Sequence, residues 1–277
     1  MNLSAEAHMK FVYNQKKEDE ISDYLMMTPS VEEAEEILKK NETDPYGWFK
    51  MGMALGLVGK GEEALEAYST GLMYSPFYAP LYFGRGRRHN SMGHYKAALS
   101  DFTLAIHLDP SVWNYWYYRA TCFNTHGDLE SSVSDFEECI KLTSPTQKYV
   151  LIHWLYTTYC EMGDYKKAEA SLTYTDGLTE CPQRNYGYKR AVLLLKGMVS
   201  PEEYINIEEM KKSVLPTPGR VELELNGMYY ALFWYWKVRG NEEKAKEALV
   251  DLQKVAVKGA FGYTKSIPYA KEMGIIE

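Results

Sequence analysis

Apolar residues return in steps of three and four along most of this chain. Trp48, Met51, Gly52 and Leu55 fall on one face of a helix. Gly59 follows, where a left-handed backbone would close that helix and a Cβ would be costly. Ala64, Tyr68 and Gly71 then share one face of a second helix, and Pro76 stops it from running on. The run returns as Tyr82, Gly86, His89, Gly93, Ala98, Phe102, Ala105 and Pro110. It returns again as Trp116, Ala120, Phe123, Gly127, Ser132, Phe136, Cys139 and Pro145, and later as Tyr229, Leu232, Trp236, Gly240, Ala245, Leu249 and Leu252. Each copy reads as helix, short turn, helix, turn, and no strand is predicted.

The turn glycines Gly59, Gly93, Gly127, Gly163, Gly197 and Gly240 are separated by 34, 34, 36, 34 and 43 residues. Pro76, Pro110, Pro145, Pro182 and Pro216 run beside them with gaps of 34, 35, 37 and 34. Two residue types sharing one period mean that a single supersecondary unit is copied. The units are 45–78, 79–112, 113–146, 149–182, 183–216 and 226–259. Small residues at Gly52, Gly86 and Ala120 let paired helices approach, and Trp48, Tyr82 and Trp116 fill the space beside them. The fifth unit is weak: Tyr186 and Gly197 fit, but Glu202 stands where a small residue is expected and Asn206 where a large one is. The extra residues before the sixth unit, around Thr217-Pro218-Gly219, read as an extended turn or as added length on a helix from about 219 to 238.

This pattern resembles the tetratricopeptide repeat family. Units one and two match closely, unit three well, and the likeness covers about 45–259. It implies an all-α, right-handed superhelical solenoid of six to seven stacked antiparallel helix hairpins. Residues 1–44 would be a degenerate capping repeat, with 5–25 as its first helix and Ser30 as the N-cap of the second. Residues 260–277 would be a covering segment with a short helix over Phe261–Met273. A stack of this kind has no single central core, so the whole chain is expected to form one elongated domain.

Composition narrows the partners. The net charge is −7, and Lys and Arg are scattered, densest at Arg85, Arg87 and Arg88. A wrapped polyphosphate calls for a clustered basic surface, so no nucleic acid is expected. No apolar stretch reaches membrane-spanning length and no signal peptide is read at the N-terminus, so no membrane partner is expected and the location is expected to be cytoplasmic. Cys122, Cys139, Cys160 and Cys181 form no C-x-x-C pair and are expected as buried helix residues.

Chemistry is largely missing. No H-E-x-x-H or G-x-S-x-G occurs, Gly84-Arg85-Gly86 lies inside a predicted helix, and His89 and His94 are spaced poorly for one metal ion. No catalysis, metal or cofactor is expected. A buried enzymatic site around His153 and Glu161 is a minor alternative. The resemblance instead implies that the first helices of successive units line a concave groove. Carried over, the groove takes Tyr46, Phe49 and Met53 from unit one and Phe83, Arg87 and Asn90 from unit two. Asn114, Tyr117 and Asn124 come from unit three, His153 from unit four, and Tyr230 and Trp234 from unit six. Asn suits a peptide backbone because it donates and accepts together, and Arg87 suits a carboxylate. The positions of the family's two-carboxylate clamp for chaperone tails hold Phe49, Met53, Gly84, Asn114 and Tyr118, so that clamp is absent. The function expected is a non-catalytic scaffold binding a protein or peptide segment. The alternative is a regulatory receptor sensing a peptide or metabolite.

Overall fold

The computed structural model describes residues 27–178, 181, 185–214, 219–258 and 260–277. The expected helix over 5–25, and Pro182, Pro216, Thr217 and Pro218, lie outside the described residues. All regular elements among the described residues are helical. They fall into two compact units, residues up to Leu142 and residues from Thr143. The division comes where the glycine period slips from 34 to 36 residues, at an inserted 3-10 turn, Pro145–Gln147.

In the first unit, α1 (Val31–Lys40) precedes three hairpins: α2 (Pro45–Leu57) with α3 (Gly61–Tyr74), α4 (Ala79–Ser91) with α5 (Tyr95–Leu108), and α6 (Trp113–Thr125) with α7 (Leu129–Leu142). Ser30 caps α1, its hydroxyl accepting from Glu33 N–H at 3.2 Å. Gly59, Gly93 and Gly127 close the first helix of each hairpin at φ of 83°, 81° and 84°, the left-handed region that favours glycine. The small positions act as expected: a Cβ on Gly52 would lie 2.5 Å from the Tyr68 ring, and one on Gly86 2.9 Å from Phe102. Gly84 was read only as a helix residue, yet it receives the same Tyr68 ring from the preceding hairpin. One aromatic thus seats against two glycines and fixes the stacking distance of hairpins one and two. Trp48 and Trp116 turn their indole N–H groups to the backbone six residues earlier, at Glu42 (2.7 Å) and Pro110 (2.9 Å).

A second ladder runs beside the glycines. Arg85 grips Asp101 with two hydrogen bonds, 2.9 and 2.8 Å, and reaches Ser69 on the previous hairpin at 3.2 Å. Arg119 repeats the arrangement, with 2.8 Å to each oxygen of Asp135 and 3.1 Å to Thr103. Each arginine therefore ties its own second helix to the second helix before it.

In the second unit, α8 (Lys148–Glu161) is buried continuously from Tyr149 to Cys160, as suits a helix apolar on every side. It pairs with α9 (Tyr165–Ser171) and a 3-10 extension, Leu172–Thr175. The fifth hairpin has α10 (Tyr186–Leu195), but its second arm is broken into α11 (Pro201–Tyr204) and α12 (Ile207–Ser213). Asn206 is the cause. Its backbone is extended, and its side chain caps α12 by accepting from Glu209 N–H, which competes with continuing the helix. Next come α13 (Arg220–Val238), α14 (Glu242–Lys254) and α15 (Phe261–Glu272). The extra length before unit six is thus added helix, which makes α13 19 residues long.

Candidate functional site

The expected groove residues divide by burial. Phe49, Phe83 and Met53 belong to the core of the first unit, with Phe49 and Phe83 wholly inaccessible. Phe83 lies 5.2 Å from Tyr115 and Tyr118 on α6 and 6.3 Å from Phe102 on α5. Its row is the contact between neighbouring first helices, which corrects the reading of these aromatics as groove surface. Asn114 and Asn124 are also buried, so they do not offer an open row of amides.

Tyr46, Arg87, Asn90 and Tyr117 remain partly exposed, on α2, α4 and α6. Arg87 is seated on an aromatic floor, its guanidinium 5.6 Å from the Phe83 ring centre and 5.1 Å from that of Tyr118. Tyr117 meets Tyr118 edge-on at 5.3 Å and Trp113 at 5.8 Å. Buried and half-buried rings thus hold the side chains that reach solvent.

The second unit treats the equivalent face differently. His153, Tyr230 and Trp234 are all buried. The helix α15 packs on α8 at Trp154 and Glu161 and on α13 at Phe233 and Trp234. Phe261 meets Trp154 edge-on at 4.2 Å. Lys265 Nζ pairs with Glu161 at 2.6 Å, and Glu161 also accepts from Tyr230 Oη at 2.8 Å. Tyr269 packs against Phe233 and Trp234 at 5.0 and 5.4 Å. A Cβ on Gly262 would lie 2.6 Å from the Asn226 carbonyl oxygen, so α15 touches the α13 backbone itself. A short covering helix over Phe261–Met273 is expected from the sequence, but the sequence does not show which face it covers.

The pair behind the enzymatic alternative is accounted for by packing. Burial pushes the Glu161 carboxyl above its ordinary range, while Lys265 and Tyr230 draw it back. His153 packs edge-on to Trp154 at 4.5 Å and Tyr188 at 5.2 Å. Among the described residues neither of its ring nitrogens finds a hydrogen-bond partner, and burial lowers its pKa to about 3. The imidazole is therefore neutral in the folded state. Its stability contribution is full above about pH 6.5 and is lost as pH falls towards 3. The stability difference between wild type and His153→Leu should change by about 1.4 kcal/mol per pH unit across that window. Urea denaturation from about pH 7 to 4 measures it, and a pH-independent difference would contradict neutral burial.

His89 and His94, read as poorly spaced, bring their Nδ1 atoms to 3.4 Å. Among the described residues no group of three or more His, Cys, Asp or Glu is placed to hold a metal ion. No described helix is long and apolar enough to cross a membrane.

Tandem helix hairpins whose first helices end at left-handed glycines, with Gly52 and Gly86 seated against Tyr68 and Phe102, give an all-α fold of stacked hairpins like that of tetratricopeptide repeats. No protein-family model matches the chain. It is 21% identical over 198 residues to anaphase-promoting complex subunit 3 of Schizosaccharomyces pombe, covering 71% of this chain and 29% of that protein. It is 29% identical over 131 residues to outer dynein arm-docking complex subunit 4 of Mus musculus, covering 47% and 20%. The chain thus spans less than a third of the length of these curated relatives. Among solved structures, YrrB, a TPR protein with an unusual peptide-binding site, is similar at TM-score 0.49 and 15% identity, over 86% of this chain and 97% of that one. MamA is similar at TM-score 0.47 and 15% identity, over 51% and 82%.

Proposed function

We propose that the protein is a non-catalytic interaction scaffold that holds a peptide or extended protein segment against α2, α4 and α6 of its first unit. The observation that carries this reading is Arg87 on the Phe83–Tyr118 floor, with Asn90 three residues further along α4 and Tyr117 beside Tyr118 on α6, both partly exposed. A guanidinium oriented by aromatic faces is suited to a carboxylate, Asn to backbone amides, and Tyr to apolar contact at low entropic cost. The partner in this reading is an acidic peptide segment, neither nucleic acid nor membrane. The compartment is the cytoplasm, in keeping with four free thiols, three of them buried.

A peptide array with and without acidic side chains tests the proposal. Wild type should enrich carboxylate-bearing peptides. Arg87→Ala combined with Tyr117→Ala should weaken their capture by about tenfold or more, with helicity unchanged by circular dichroism. Undiminished capture by the folded double variant would remove this face from consideration.

A further inference from the structure

The helix α15 is held to the second unit by aromatic contacts and a buried ion pair. Phe261, Lys265 and Tyr269 stand four residues apart and share one helix face. They engage, in order, Trp154, then Glu161 with its Tyr230 bond, then Phe233 and Trp234. Between the aromatics sits an ion pair whose side chains are only 12% and 7% exposed. Such a pair adds little stability over an apolar substitute, but it fixes register and rejects the wrong charge. Pro268 lies inside α15, where it removes one backbone N–H and weakens the helix on its own. The helix thus depends on the face it covers, and that face reads it through polar as well as apolar groups.

We propose that the face formed by Trp154, Glu161, Tyr230, Phe233 and Trp234 is a helix-recognition site. Its ligand class is an amphipathic helix with an aromatic residue, a lysine and a second aromatic at four-residue steps. α15 is the ligand supplied in cis, and a partner helix of the same chemistry gains the site by displacing it. This site is separate from the face proposed for peptide capture in the first unit, and neither reading depends on the other.

The probe is a fluorescent synthetic peptide with the sequence of residues 260–277, titrated into the full chain. The wild-type chain, whose site is filled, should bind it weakly. Lys265→Glu sets two carboxylates against each other in cis and leaves the recognising residues untouched. That chain should bind the wild-type peptide about tenfold tighter or more, because the competent state is no longer masked. A peptide carrying Lys265→Glu should not bind. Gly262→Ala is the second variant: its Cβ meets the Asn226 carbonyl rather than any recognising side chain, so it opens α15 by a different route. Failure of both variants to gain peptide affinity overturns the proposal. So does loss of helicity across the second unit in both, which would make α15 part of the core rather than a ligand.

Discussion

Asp135→Ala is expected to destabilise the first unit by about 3–5 kcal/mol, the cost of leaving a buried charge without its partner. The carboxylate side chain is 5% exposed and holds Arg119 with two bonds of 2.8 Å. Burial pushes its pKa up and Arg119 draws it back, so the pair offsets its own desolvation only while both members are present. The double variant Arg119→Met with Asp135→Leu should recover most of the loss, because no unpaired charge then remains. Urea denaturation of Arg119→Met, Asp135→Leu and the double variant gives the coupling directly. Exposed pairs such as Lys60–Glu63, with both side chains more than half exposed, serve as the contrast and should contribute at most about 1 kcal/mol. Equal, small losses at both kinds of site would mean that the arginine ladder contributes no more than a surface contact.

That ladder shows what the sequence held and what it hid. Arg85 and Arg119, Asp101 and Asp135, and Ser69 and Thr103 all repeat at the same 34-residue interval as the glycines. The signal was present. The small and aromatic positions alone do not reveal it, because which carboxylate each arginine grips is set by how the two helices of a hairpin pack. Turn glycines were readable because one backbone requirement, positive φ, selects one residue type. The break in the fifth hairpin was also foreshadowed, since Asn206 in a large apolar position offers a capping side chain and nothing to bury.

The candidate site was less legible. Periodicity identifies the helix face on which a residue lies, but that face is shared between a groove and the next helix. Phe83 and Arg87 are four residues apart on α4, yet one is wholly buried and the other reaches solvent. Only the position of α6, with Tyr115 and Tyr118 against Phe83, separates them. In the second unit the missing information was non-local. Nothing near Glu161 in sequence announces Lys265, and nothing near Trp234 announces Tyr269.

Phe83→Ala decides between core and groove with a large effect. As a core residue touching Phe102, Tyr115 and Tyr118, Phe83 should cost about 3–5 kcal/mol on truncation, through lost transfer energy and the cavity left behind. A residue on an open binding face would cost about 0.5 kcal/mol or less. The loss should also loosen the floor beneath Arg87, so peptide capture should fall along with stability. Arg87→Ala should do the reverse, weakening capture while leaving the urea midpoint nearly unchanged. Phe83→Ala with an unchanged midpoint and abolished capture would return the aromatic row to the groove and overturn its assignment to the contact between first helices.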